Sequence, residues 1–112
     1  MKGEYKSLEE KRMMRDLSDN IVKQLLSLAK ANDDEDWRMF SLFVVSGKRS
    51  SQVMTELNLS RRQILSKFKK YSKLLQFDLH PHAIRRWYAL NLESLGIHPT
   101  IISKLLDHKL ES

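Results

Sequence analysis

The sequence contains no cysteine and very little glycine or proline, with three Gly and two Pro in 112 residues. Without cysteine the chain can form no disulfide, thiolate zinc site or cysteine nucleophile, and so few turn formers argue against an all-β fold with many tight turns. No apolar run exceeds four residues, and runs such as residues 42–45 are far too short for a membrane span or a signal-peptide core. We therefore expect an intracellular protein, in the cytoplasm or nucleoid of a host cell, with no membrane partner.

Positive charge is concentrated in the second part of the chain. Residues 1–36 hold 7 Lys+Arg and 9 Asp+Glu, whereas residues 37–112 hold 13 and 5, which gives the net charge of +6. Within residues 48–86 there are 10 basic residues against two acidic ones. Because neutralisation of phosphates releases counterions, this stretch predicts binding to a polyanion such as nucleic acid. A solvated helical face is the alternative interpretation.

Apolar residues recur at helical spacing along most of the chain. The pattern predicts an all-α fold, a small helical domain of about five to six helices. We expect residues 1–36 to form an N-terminal helix or dimerisation arm, and residues 37–112 a DNA-binding helical domain. Gly47 and Gly96 fall where helices end, and Pro81 falls in the first turn of a helix. Homodimer formation through the N-terminal helix is a hypothesis.

Residues 51–75 have the pattern of a helix-turn-helix. Asn58 stands at the turn, where a positive φ is needed. The second helix would present Arg61, Arg62 and Gln63 in its first turn, where side chains pair with base edges in the major groove of double-stranded DNA. Further cations are candidates for phosphate contacts: Lys48, Lys67, Lys69, Lys70, Lys73 and Arg86.

Two positions depart from the usual helix-turn-helix pattern. Met54 stands where a small residue usually lets the helices approach each other, and Lys67 stands where an apolar residue is common. An ordinary αα-hairpin with a basic exposed face is therefore an alternative.

A pattern of histidine, arginine and leucine runs from residue 80 to residue 108. It opens with Pro81-His82-Ala83-Ile84-Arg85, continues with Tyr88-Ala89 and closes with Leu105-Leu106-Asp107-His108. This pattern resembles the C-terminal box of tyrosine recombinases, the phage integrase superfamily, which reads P-H-x-L-R, an aromatic-Ala pair and L-L-G-H. Upstream, the run Ser46-Gly47-Lys48-Arg49-Ser50-Ser51-Gln52 is similar to the first arginine box of that family, T-G-x-R-x-S-E.

The resemblance implies a function in DNA recombination or integration, or in its regulation, for a mobile element or virus. It also implies that the matched residues Arg49, His82, Arg85 and His108 would stabilise charge on a scissile phosphate. The alternative for the C-terminal segment (residues 80–108) is a packed helix pair with capping or surface histidines.

The nucleophile of that family is missing from the matching position. The family places a tyrosine several residues beyond the position of His108, whereas the tyrosines of this sequence are Tyr5, Tyr71 and Tyr88. We therefore expect binding rather than catalysis, with no cofactor, and the spacing of the four histidines predicts no metal site. Three further hypotheses stay open: a transcriptional regulator without a recombinase link, a fragment of an integrase whose tyrosine is supplied elsewhere, and a basic protein that binds an acidic protein surface.

Overall fold

A computed structural model of the protein describes residues 17–106, and within this range it contains six α-helices and no strand. In chain order the helices are α1 (Asp19–Asn32), α2 (Asp34–Ser46), α3 (Ser50–Leu57), α4 (Arg61–Leu75), α5 (Pro81–Ser94) and α6 (Pro99–Leu106). The predicted all-α fold with about five to six helices is confirmed. In the described range no helix has both the length and the apolar composition that a membrane span needs.

Local residue chemistry sets most of the helix ends. Ser60 caps α4, because its hydroxyl accepts the N–H of Gln63 at 3.1 Å while the Gln63 amide oxygen accepts the N–H of Ser60 at 2.8 Å. Gly47 (φ 63°) ends α2 and Asn58 (φ 55°) ends α3 in the left-handed region, as the sequence predicts. Gln76 also has a positive φ, 52°, at the end of α4, although glutamine carries no sequence signal for this conformation.

One hydrophobic core joins α1 to α5. At its centre, Phe40 of α2 packs edge-to-face against Phe68 and Tyr71 of α4, with ring centroids 5.0 and 5.1 Å apart. Leu25 from α1 and Ile84 from α5 are fully buried in the same cluster. The aromatic contacts between α2 and α4 therefore fix the position of α4, the long basic helix.

The first helix, which lies in the segment predicted to be an N-terminal helix or dimerisation arm, packs into this core. Leu17, Val22, Leu25 and Ala29 are all buried with the residues of α2 and α4. Over residues 17–36 the predicted arm is therefore an integral part of the helical domain, because its apolar face packs on its own chain. Residues 1–16, which include the rest of the predicted arm, lie outside the described residues.

Helices α5 and α6 form the predicted C-terminal pair. Ile102 of α6 is buried, whereas Ile101 and Leu105 are about half exposed. The pair is closed by a hydrogen bond from the Arg85 guanidinium to the carbonyl oxygen of Leu106, 2.8 Å long.

Candidate nucleic-acid interface

Helices α3 and α4 form a compact unit joined by a tight turn of residues 58–60. Val53 from α3, Leu59 from the turn and Ile64 from α4 are buried in the shared core. The left-handed backbone at Asn58 reverses the chain and Ser60 starts the next helix. Both the helix-turn-helix and the αα-hairpin hypotheses predict this pair of helices. The two hypotheses differ in the function that they assign to the exposed face of α4.

The outer face of α4 is cationic from its first turn onward. Arg61, Arg62, Lys69 and Lys73 are exposed, and the sequence of α4 contains no acidic residue. Four members of this face (Arg61, Arg62, Ser66, Lys69) line an open depression of about 580 Å³ together with Leu65. Helix α4 therefore presents arginines at its N-terminus and lysines behind them, on the side opposite the core.

Gln63 is exposed but has a structural task. Its amide oxygen accepts the N–H of Ser60 in the capping box described above. Gln63 is also predicted to read bases, and bidentate pairing with adenine would use the same amide oxygen that accepts the N–H of Ser60. The signal for the cap was present in the sequence as Ser60 followed three residues later by Gln63.

Lys67 does not lie on the cationic face, which corrects its assignment as a phosphate contact. Its side chain is 16% exposed, and its Nζ lies 2.5 Å from Oδ1 of Asp36 and 2.9 Å from Oε1 of Glu35. The Tyr71 hydroxyl donates to Oδ2 of the same Asp36 at 2.6 Å. These contacts form a polar network between α2 and α4, and they explain why a lysine occupies the position where an apolar residue is common.

The network keeps its members in defined protonation states. Burial by itself raises the pKa of Asp36, but hydrogen bonds from Lys67 and Tyr71 and the charges of Lys67 and Lys70 outweigh it and lower this pKa below its ordinary value of 3.8. Burial lowers the pKa of Lys67, yet its hydrogen bonds to Asp36 and Glu35 raise this pKa above 10.5. Burial and donation to Asp36 raise the pKa of Tyr71, so its phenol is held neutral.

The two segments that resemble recombinase boxes meet in space. Arg49 from the first segment and His82 and Arg85 from the second line one surface pocket of about 310 Å³, which Lys48 also lines. They meet because α3 and α5 both begin at this pocket. His108, the fourth matched residue, lies outside the described residues.

Arg85 forms hydrogen bonds to two distant backbone segments at this pocket. Its Nη1 donates to the carbonyl oxygen of Gly47 at 3.1 Å and its Nη2 donates to that of Leu106 at 2.8 Å. These hydrogen bonds connect the loop after α2 with the end of α6. Contact between these two N–H groups and a phosphate would require the two bonds to break.

The rings of the two tyrosines in the described range pack against other parts of the chain. Tyr71 is fully buried and hydrogen-bonded to Asp36. The ring of Tyr88 lies against Gly47 so closely that a Cβ at residue 47 would lie 2.9 Å from its Cγ. Both phenol rings therefore have packing roles, and Tyr5 lies outside the described residues.

The remaining predicted phosphate contacts differ in their surroundings. Lys48 forms an ion pair with Glu56. Lys70 is half exposed and lies 3.5 Å from Asp36. Arg86 is exposed on α5. Within residues 17–106 no group of three or more histidine or acidic residues could hold a metal ion.

Three neighbouring depressions join these residues into one continuous surface. The pocket at Arg49 shares His82 with a second pocket, and the second pocket shares Arg61 and Leu65 with the depression on α4. We name this the cationic surface and define it by six of the charged and titratable residues that line it: Lys48, Arg49, Arg61, Arg62, Lys69 and His82.

Comparison with protein-family models, with curated proteins and with solved structures finds no match to this chain. The resemblance to tyrosine recombinases therefore rests on the quoted motifs alone.

Proposed function

We propose that this protein binds double-stranded DNA, with α3 and α4 acting as a helix-turn-helix and α4 lying in the major groove. The observation that carries the proposal is the continuous cationic surface, which begins at the first turn of α4 and extends to the starts of α3 and α5. A helix that enters the major groove contacts base edges mainly with its N-terminal residues. Arg61 and Arg62 occupy that turn, and arginine pairs with the O6 and N7 atoms of guanine.

Phosphate contacts that follow the first turn of α4 would fix the position of this helix along the DNA. Lys69 and Lys73 follow the arginines at helical spacing on the outer face of α4. Contacts of this kind fix orientation without reading sequence. Lys67 is not among these phosphate contacts, because it pairs with Asp36 and Glu35 inside the fold.

A second phosphate contact is proposed at the pocket lined by Lys48, Arg49 and His82. A second pocket connects this pocket to the α4 depression, so a DNA strand running from one to the other would follow the cationic surface. We propose a binding contact rather than a catalytic one, because the sequence lacks a tyrosine at the position of the family's nucleophile. Binding of this type suits regulation of recombination or of transcription in a mobile element or virus.

Fluorescence anisotropy of labelled duplex DNA, titrated with the full chain at several salt concentrations, tests the proposal. Each phosphate contact contributes about −0.9 to the slope of log K against log salt, so a slope of about −3 to −5 is expected for the wild type. Arg61→Ala/Arg62→Ala is expected to weaken binding about 10- to 100-fold and to reduce sequence preference. Arg49→Ala/His82→Ala is expected to weaken binding to all sequences alike.

The matched control is Lys23→Ala/Arg38→Ala, which removes the same charge from exposed positions of α1 and α2. Its affinity is expected to stay close to that of the wild type. If this control and Arg61→Ala/Arg62→Ala weaken binding equally, net charge rather than α4 explains the binding. If the wild type loses DNA at physiological salt, the proposal is wrong and an acidic protein surface becomes the partner to seek.

A further inference from the structure

Leu65 is an apolar residue in the middle of the cationic face of α4. It lies one helical turn after Arg61 and one turn before Lys69, and its side chain is 48% exposed. It lines the depression shared with the arginines and also the pocket between α3 and the start of α5. A single exposed leucine needs no explanation by itself, but this one occupies the centre of the surface proposed to enter the groove.

When Arg61 contacts a base edge and Lys69 contacts a phosphate, Leu65 lies between these two contacts on the same face of α4. A spacing of four residues corresponds to about 6 Å along the helix, so Leu65 lies between Arg61 and Lys69 at a separation of about two base pairs from each. In the major groove the bases present hydrogen-bonding groups and one apolar group, the C5-methyl of thymine. A leucine that becomes dehydrated in the major groove is stabilised most against that methyl group, because the other groups that distinguish the bases are polar.

We propose that Leu65 is a specificity-determining residue that contacts the C5-methyl group of a thymine. The inference rests on the proposed DNA binding by α4 and adds to it the identity of one base. The preferred DNA site therefore contains a thymine within about two base pairs of the base contacted by Arg61.

Replacement of thymine by deoxyuridine tests this contact directly, because it removes the methyl group and keeps every hydrogen-bonding group of the base. A preferred duplex is first selected with the full wild-type chain from a random duplex library. Each thymine in it is then replaced in turn by deoxyuridine. At one position the wild type is expected to lose about 3- to 5-fold in affinity, the effect of one buried methyl group.

The variant Leu65→Ala is expected to bind the thymine and deoxyuridine duplexes equally at that position, with an unchanged salt slope. Leu74→Ala is the matched control: it makes the same substitution in the same helix at a leucine that is 52% exposed, but one that lines a groove against α1. This control is expected to keep the wild-type preference for thymine.

The outcomes separate the inference from the function on which it rests. If the wild type shows no methyl dependence, or if Leu65→Ala retains it, the Leu65 contact is wrong while DNA binding stands. If the selection yields no preferred sequence although the chain binds duplex DNA, the Leu65 contact is again wrong. If the chain binds no duplex, the proposed function falls together with the inference.

Discussion

The substitution Asp36→Asn is expected to destabilise the protein by about 3 kcal/mol, because it removes the charge from the polar network between α2 and α4. The carboxylate is 3% exposed and accepts hydrogen bonds from Lys67 at 2.5 Å and from Tyr71 at 2.6 Å. Asparagine has nearly the same size, so the substitution creates no cavity. Its main effect is to leave the ammonium group of Lys67 facing a neutral amide.

The magnitude follows from the burial of Lys67. Breaking a buried ion pair by removing one partner costs about 3–5 kcal/mol, because the other charge is left without compensation. Lys67 keeps a second partner in Glu35, whose side chain is largely exposed, so the lower end of that range applies. Since a domain of this size is stable by roughly 5–15 kcal/mol, the loss is large. It corresponds to a decrease in Tm of about 12–24 °C.

Urea unfolding followed by far-UV circular dichroism measures this change in free energy. The matched control is Asp34→Asn, since the Asp34 carboxylate is 77% exposed and pairs with Arg38 at 3.7 Å on the surface. Such pairs contribute at most about 1 kcal/mol. Replacing Lys67 by Met in the Asp36→Asn background is expected to recover part of the loss, because the uncompensated charge is then gone.

Equal stabilities of Asp36→Asn and Asp34→Asn would refute the reasoning. So would an Asp36→Asn/Lys67→Met double variant less stable than Asp36→Asn alone, because the cost would then not come from the unpaired ammonium group.

Two further expectations concern a glycine and the pH dependence of stability. Gly47→Ala is expected to cost about 2–4 kcal/mol, because φ is 63° and a Cβ would overlap the ring of Tyr88. Gly96→Ala, with φ 87° and nothing within 4 Å, should cost only about 1–2 kcal/mol in the same urea assay, and equal losses would contradict the packing argument. The pKa of Asp36 is lowered, so the stability that its carboxylate contributes is present above pH 3.8 and is lost as the pH falls below that value. The pKa of Lys67 is raised, so the stability that its ammonium group contributes is present below pH 10.5 and is lost as the pH rises above that value. The stability difference between wild type and Asp36→Asn should therefore shrink below pH 3.8 and also at alkaline pH, as Lys67 loses its proton. A difference that stays constant at all pH values would exclude this network as its source.

Local signals in the sequence predict several helix ends correctly. Ser60 begins α4, Gly47 ends α2 and Pro81 begins α5 where the pattern indicated. Caps and turns depend on residues within one helical turn, so their chemistry can be read from neighbours in the chain. Gln76 shows the limit of such reading, because a glutamine with a positive φ carries no local signal.

The candidate site was predictable in its exposed part and not in its buried part. The exposed cations of α4 follow from helical spacing once its core face is known. Lys67 was grouped with them because a lysine in a basic run usually faces solvent. Its partner Asp36 lies 31 residues away, and no spacing rule connects the two. The one hint was that Lys67 occupies a position where an apolar residue is common, which predicts burial beside a compensating charge.

The sequence by itself determined the helical class, most helix boundaries and the concentration of positive charge, because periodicity, capping and composition act over short distances. Only the tertiary structure decided which cations are available to a partner. Packing of α2 on α4 buries Lys67 against Asp36, and the meeting of α3 and α5 brings Arg49 and His82 to one pocket. The same packing ties Arg85 to two backbone carbonyls. Burial and pairing are properties of residues distant in the chain, so they appear only when the helices are assembled.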